Sequence, residues 1–290
     1  MISIVIPAHN EEAVIAAGLR ALTEGAGPAE LEVIVVCNGC RDQTATVARA
    51  AGPPVRVIET DVASKPNALN LGDAAACGFP RFYIDADVAI SLEAVRRIAA
   101  ILDRGEALAA APAVETVFLK GTQPAVRAYY EAWMSLPYVQ EGMMAAGAYA
   151  VSREGRTRFE RFPDVIADDG YFRLLFTSEE RREVGGAVCR VLAPTNLSDL
   201  IKIKTRSRLG VIQLQTLFGD LYRRDAARKQ YGAALRRLAA DPRAYRGAAI
   251  YLWVTAVSRY RARLQARNLA SYAWERDNSS RAHAGEAKGS

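Results

Sequence analysis

Apolar residues in the first part of the chain come in short runs separated by helical patterns. Ile2 to Ile6 is an apolar run stopped by Pro7, as expected of a strand buried on both faces. Val14, Ile15, Leu19 and Leu22 recur at helical spacing within Glu11 to Leu22. Leu31 to Val36, Val55 to Ile58, Phe82 to Ile84 and Ala107 to Val114 read as further strands. Asp42 to Ala51, Lys65 to Ala76 and Ser91 to Leu102 read as helices, the last with Ser91 as its N-cap. Such alternation predicts an α/β fold: a Rossmann-like, mostly parallel sheet flanked by helices. Ligands of these sheets bind beyond the carboxyl ends of the strands. That singles out the loops Pro7–Glu12, Cys37–Asp42, Thr60–Lys65 and Asp85–Val88.

The pattern changes after residue 115. Thr122 to Leu136 reads as an amphipathic helix carrying Tyr129, Tyr130 and Trp133. Gly147 to Val151 and Val184 to Leu192 read as strands, and Ala167 to Phe176 as a helix that opens on acids. From Leu197 onward the chain is helical and basic, with a break near Asp241-Pro242; the small, polar tail from Asn278 is expected to be disordered. The expected division is 1–115, 116–200, a basic helical C-terminal extension over 201–277, and a tail over 278–290. Residues 115–200 are the expected acceptor region, with Tyr129, Tyr130, Trp133, Met143 and Met144 readable either as pocket lining or as core.

Composition changes this picture in two respects. The 290 residues carry a formal charge of +6, concentrated between Lys202 and Arg267, which suggests an anionic partner or a solvated basic face. Tyr245 to Leu264 mixes aromatics and aliphatics with arginines, which suits either an anionic membrane surface or a core-packing helix. The longest apolar stretch there, Ala248 to Val257, is too short to span a bilayer. Cys37 and Cys40 form a C-x-x-C, but Cys77 and Cys189 lie far away and the only histidines are His9 and His283. Neither a zinc site nor a disulfide framework is expected, and a reducing, cytoplasmic compartment is. No secretory leader is visible.

The chemistry lies in the loops. Asp85-Ala86-Asp87 follows the strand Phe82–Ile84, and in an extended chain two side chains two apart share a face. Paired carboxylates suit a hard divalent cation, Mg²⁺ or Mn²⁺, that also takes phosphate oxygens. In order along the chain stand Pro7-Ala8-His9-Asn10-Glu11, Cys37-Asn38-Gly39-Cys40-Arg41-Asp42, Lys65-Pro66-Asn67, Asp85-Ala86-Asp87 and Asp168-Asp169-Gly170-Tyr171. This order resembles the family 2 glycosyltransferases of the GT-A fold over roughly residues 1–210.

The resemblance implies an inverting transfer of a sugar from a nucleotide-sugar donor to an acceptor hydroxyl on a glycan, a lipid-linked or a small molecule. It implies that Pro7, Ala8, Asn10 and Glu11 cradle the nucleoside, and that Lys65 lies near the nucleotide. Asp85 would contact the ribose or the metal's surroundings, and Asp87 the metal. The second loop departs from the family pattern: Cys37 and Asn38 stand in for two acids, Cys40 for a serine, and only Gly39 and Asp42 match, so uracil is not implied. Asp169 would be the general base, with Asp168 a competitor for the role or a neighbour that raises its pKa. Arg206 and Arg208 loosely match a later arginine segment that would hold the diphosphate. Asn10 and Asp42 also read simply as helix N-caps, and the acids at 168 and 169 as a first turn that complements a helix dipole.

Three other readings compete. A nucleotidyltransferase would need a Gly-rich basic loop after the first strand, and a dehydrogenase a G-x-G-x-x-G; the chain has neither there. A non-catalytic nucleotide-binding module docking an anionic partner needs no base, so Asp169 speaks against it. No nucleic-acid motif is present, and nucleic acid is not an expected partner. Peripheral contact at the inner face of a membrane, through the basic C-terminal helices, stays open as the alternative to core packing, which is slightly favoured.

Overall fold

A computed structural model describes residues 1–136, 139, 147–226 and 244–268. The Asp241-Pro242 break, Met143, Met144 and the tail over 278–290 lie outside these. The chain divides into two compact units: Met1–Glu115 with Met144–Val191, and Thr116–Met143 with Leu192–Ser290.

The first unit is built on one sheet. Its strands are β1 (Ile2–Ala8), β2 (Leu31–Asn38), β3 (Val55–Thr60), β4 (Arg81–Ile84), β5 (Ala89–Ile90), β6 (Ala109–Val117), β7 (Ala148–Val151) and β8 (Arg181–Leu192), in the order β3-β2-β1-β4-β7-β6-β8-β5. β1, β2, β3 and β4 run parallel. β7 then enters antiparallel between β4 and β6, and β5 pairs antiparallel with β8. The parallel half follows the expected alternation, whereas the other half makes the sheet mixed. The helices of this unit are α1 (Ile15–Thr23), α2 (Thr44–Arg49), α3 (Lys65–Ala75), α4 (Leu92–Asp103), α6 (Arg153–Arg156) and α7 (Asp168–Leu174). Ile4, Ile6, Leu19, Val33, Val35, Val95 and Ile98 meet in one core, and Ile34, Val36 and Ala68 form a smaller one.

Several boundaries differ from the expectation for identifiable reasons. Pro7 lies inside β1 rather than ending it. Pairing with β4 stops at Val5, so a residue lacking an N–H is tolerated there. Asn10 does not cap α1, which begins only at Ile15 and has no side-chain cap. Asn10 adopts a positive φ of 53°, and its Oδ1 accepts instead from the Arg41 amide at 2.7 Å. Ser91 caps α4 as expected, accepting from the Ala94 amide at 3.3 Å.

In the second unit, α5 (Pro124–Met134), α8 (Leu197–Leu217) and α10 (Ala244–Ala266) pack together, with α9 (Gly219–Ala226) following α8. Val126, Tyr129, Tyr130, Leu200 and Val254 are the buried centre of this packing. Tyr129 and Tyr130 are thus core residues of this unit. No helix among the described residues is long and apolar enough to cross a membrane.

Candidate functional site

The acids singled out at opposite ends of the first unit meet around one lysine. Ser64 caps α3 through the Asn67 amide, which sets Lys65 at the first helical position. The Lys65 Nζ lies 2.7 Å from Asp85 Oδ1 and 3.0 Å from Asp168 Oδ1. Burial works against its charge, but Asp168, Asp85 and Asp169 outweigh burial and hold its pKa above the ordinary lysine range. Asp168 is 2 % exposed, and its Oδ2 accepts from the Tyr149 hydroxyl at 3.0 Å. Both its oxygens are therefore committed within the protein. Asp169, the next residue, accepts from the Gly170 amide at 2.7 Å. Burial pushes its carboxyl up to about 6, and the like charges of Asp168 and Asp85 add to this against the opposing pull of Lys65. Both acids sit in the first turn of α7, where the helix dipole favours negative charge.

Asp85 directly follows β4, and the residue just before β7 fixes it. The Asp85 amide donates to the Gly147 carbonyl at 2.8 Å. Gly147 has a φ of 79°, and a Cβ there would stand 2.8 Å from Val88 Cγ2 and 3.5 Å from Asp85 Oδ2. Asp87 is exposed, while Asp85 is half-buried. No set of three or more His, Cys, Asp or Glu side chains encloses a cation among the described residues. The hard oxygen donors Asp85 and Asp87 fit an ion held by one or two carboxylates and completed by phosphate oxygens and water, as Mg²⁺ and Mn²⁺ commonly are.

The loops after β1 and β2 form the second part of the site. His9, Asn10, Gly39, Cys40, Arg41, Asp61 and Ala63 line a cleft of about 500 Å³ at the carboxyl ends of the strands. The loop side chains chiefly hold one another. Asn38 is buried and donates to the Ala8 carbonyl at 2.8 Å. His9 bonds the Asn38 carbonyl, and the Asn10 amide lies 3.4 Å from the Cys40 Sγ. The Glu11 amide donates to Thr44 Oγ1 at 2.7 Å. Asp42 accepts from the Thr44 amide at 3.0 Å and the Glu12 amide at 3.3 Å. Burial alone would raise the Asp42 pKa, but these hydrogen bonds and that of the Thr44 hydroxyl lower it. Gly39 has a φ of 59°, and a Cβ on it would stand 2.7 Å from the Ala63 Cβ. Only glycine lets the loop after β3 come this close. The four cysteines are free thiols, with Cys37 and Cys189 buried.

Other supporting residues have no local signal in the sequence. Asp73 on α3 accepts from Arg81 at 2.7 Å, from Tyr83 at 2.6 Å and from Arg156 Nε at 3.0 Å. Asn70 clasps the backbone of Phe162, donating at 2.9 Å and accepting at 2.8 Å. Tyr149 packs on Tyr83 and Phe172 with ring centroids 5.2 and 4.4 Å away. These contacts carry the segment before Asp168 onto the sheet. Arg206 and Arg208 lie on α8, in the second unit.

Residues 3–161 match the family model described as glycosyl transferase family 2. The match takes in more than half of the chain. The chain belongs to this family. The family's glycosyl-transfer chemistry and the α/β architecture agree with the expectation drawn from the five motifs. No curated protein sequence matches the chain. Among solved structures it resembles the mannosyltransferase PcManGT from Pyrobaculum calidifontis, in complex with GDP-Man and Mn²⁺, at a TM-score of 0.64 and 21 % identity over 92 % of this chain and 87 % of that one. It also resembles S. aureus TarS 1–349 in complex with UDP-GlcNAc, at 0.54 and 13 % over 91 % of both. A third is glucosyl-3-phosphoglycerate synthase from Mycobacterium tuberculosis in complex with Mn²⁺, UDP-Glc and phosphoglyceric acid, at 0.52 and 22 % over 74 % and 79 %. At these identities the likeness shows a shared fold.

Proposed function

We propose that the chain transfers a sugar from a nucleotide-sugar donor to an acceptor hydroxyl with inversion, and that Asp169 is the general base. The observation that carries this is the division of labour between the neighbouring acids. Asp168 is committed to Lys65 and Tyr149, while Asp169 has a carboxyl raised to about 6. A base with that pKa is ionised at neutral pH yet still takes up a proton readily. Asp169 takes the proton of the acceptor hydroxyl as its oxygen bonds to the anomeric carbon. The bond from that carbon to the donor diphosphate breaks on the opposite face, and the electron pair leaves with the nucleoside diphosphate.

Asp87, with Asp85 beside it, would hold Mg²⁺ or Mn²⁺. Such an ion, when bound, neutralises charge on the departing diphosphate. The solved complexes of PcManGT and the phosphoglycerate synthase pair Mn²⁺ with GDP-Man and UDP-Glc, which supports the same ligand class here. Lys65 keeps Asp85 and Asp168 in place and offsets their charge. The cleft by His9, Asn10 and Gly39 takes the nucleoside; Asn38 and Asp42 shape it through the loop contacts described above. A thermal-shift screen with UDP-, GDP-, CMP- and dTDP-sugars, with and without Mn²⁺, tests the donor reading. A metal-dependent rise with one nucleotide class, lost in Asp87→Ala, is expected. Equal responses in wild type and Asp87→Ala would remove the metal assignment, and no response to any donor would sink the reading.

A second element of the proposal is peripheral contact with an anionic membrane. The exposed face of α10 carries Tyr245, Leu252, Trp253, Tyr260 and Leu264 together with Arg246, Arg259 and Arg263, and the helix contains no acid. Aromatic and aliphatic groups among arginines suit a headgroup layer. Flotation with phosphatidylglycerol vesicles should carry the protein upward, and Trp253→Glu should leave it at the bottom. Failure of the wild type to float would end this part of the proposal alone.

A further inference from the structure

Lys204, on α8 in the second unit, is a half-buried cation that the proposed transfer does not use. Its Nζ stands 3.9 Å from the centroid of the Trp133 ring, 5.2 Å from that of Tyr130 and 5.3 Å from that of Tyr129. All three rings belong to α5, so they form a wall on one side of the ammonium. Trp133 and Tyr130 meet edge to face at 5.6 Å, as do Tyr130 and Tyr129, so the wall is itself packed. Ring faces attract a cation but leave its charge in place.

The other groups around Lys204, among the described residues, do not neutralise it. Among the described residues it forms no ion pair, whereas Lys202 on the same helix is paired with Asp199 at 2.8 Å. Arg208 lies one helical turn further on, and side chains four apart share a helix face with about 5–6 Å between their Cβ atoms. Glu131, the acid of α5, is exposed and makes no ion pair with Lys204, and Arg127 of α5 stacks on Phe118. From α10, Tyr251 packs on Tyr129 at 5.5 Å. Burial, followed by the like charge of Arg208, pulls the Lys204 pKa down to about 7. Two neighbouring cations without a counter-ion are stabilised by any group that supplies negative charge between them.

We propose that Lys204 and Arg208 together bind a phosphate group, with the ring wall of Trp133, Tyr130 and Tyr129 holding the ammonium toward it. Arg208 offers a planar fork of donors to two phosphate oxygens and Lys204 a compact point charge to a third. A phosphate dianion matches the joint charge of the pair. The phosphate comes either from a small soluble monoester or from a lipid headgroup. The site is defined within the second unit and does not depend on the donor reading.

The test is calorimetric titration of the full chain, at low salt and pH 8, with methyl phosphate in one arm and phosphatidic acid in phosphatidylcholine vesicles in the other. Each arm is run in two buffers of different ionisation heat. Lys204 is mostly neutral at pH 8 and becomes charged against the phosphate, so binding should take up a proton. Lys204→Met should weaken binding about tenfold or more and abolish the proton uptake. Arg208→Gln should weaken binding and retain the uptake. Binding in both arms assigns a soluble phosphate as sufficient, and binding to vesicles alone assigns the headgroup. Lack of binding in both arms, binding without proton uptake, or unchanged affinity in Lys204→Met overturns the proposal. If Lys204→Met does not fold, unchanged affinity in Arg208→Gln overturns it and weakened affinity supports it.

Discussion

The Tyr149 hydroxyl donates to Asp168 Oδ2 at 3.0 Å, and the tyrosine is 2 % exposed. Two adjacent acids of the same helix turn therefore have different surroundings. The bond orients Asp168, and through it the Lys65 ammonium 3.0 Å from its other oxygen. Tyr149→Phe should keep the ring packing and lose only the hydrogen bond. Donor affinity should change little and kcat should fall about tenfold, which steady-state kinetics would show.

Asp169→Asn should lower kcat by about a hundredfold or more, since a positioned base contributes on that scale. Thermal stability at pH 8 should rise. The folded-state pKa is about 6, above the ordinary aspartate value of 3.8, so the ionised folded form is penalised above pH 6 and the penalty vanishes below the unfolded value. The stability gain of the variant should therefore fade as pH falls from 6 toward 4. A variant with reduced activity and no such pH-dependent gain would remove Asp169 from the assigned environment.

The pH–rate profile gives an independent check. Wild-type kcat/KM should fall as pH drops through about 6, where Asp169 takes up its proton. Lys65 opposes that rise in pKa, so Lys65→Met should move the acid limb to higher pH. A limb that stays in place, or moves to lower pH, would contradict the arrangement.

Gly39→Ala should damage the cleft and the fold together. Its positive φ costs a side chain about 1–2 kcal/mol, and the Cβ would also press against Ala63 at 2.7 Å. Urea unfolding should show at least that loss, and nucleotide-sugar affinity should fall with it. Gly52, also at positive φ but with nothing within 4 Å, is the control: alanine there should cost stability and leave affinity unchanged.

Asp73→Ala would leave the Arg81 and Arg156 guanidinium groups facing each other without their shared carboxylate. Breaking a buried pair in this way costs about 3–5 kcal/mol. Chemical denaturation should report a loss of that order, which a surface pair such as Arg97–Glu93 should not match when Glu93 is replaced.

The parallel half of the sheet was legible because each strand is an apolar run bounded by turn residues, and Ser91 was legible as a cap because capping is local. The direction of β7 was not, because four residues, Ala148 to Val151, carry the same pattern whichever way they run. The start of α1 was missed because Asn10 and Glu11 are fixed by Arg41 and Thr44, some 30 positions away. The acids of the site were visible in sequence through the order of motifs. Lys65 was visible too, as a cation near the nucleotide, but its pairing with Asp85 and Asp168, the Tyr149 bond and the Asp73 network were not, since each joins residues whose nearness arises only from the sheet order.

The antiparallel entry of β7 between β4 and β6 has a consequence for the chain during its synthesis. β1 to β4 and their crossover helices are all made within residues 1–84, so this half can assemble early and with it the cleft beside Gly39. The carbonyl that fixes Asp85 and the hydroxyl that fixes Asp168 arrive only with Gly147 and Tyr149, and the acids of α7 later still. A growing polypeptide thus acquires the proposed nucleoside cleft well before it can acquire the proposed base. Sugar transfer is the last property to mature, and a truncated product would be inert rather than wasteful of donor.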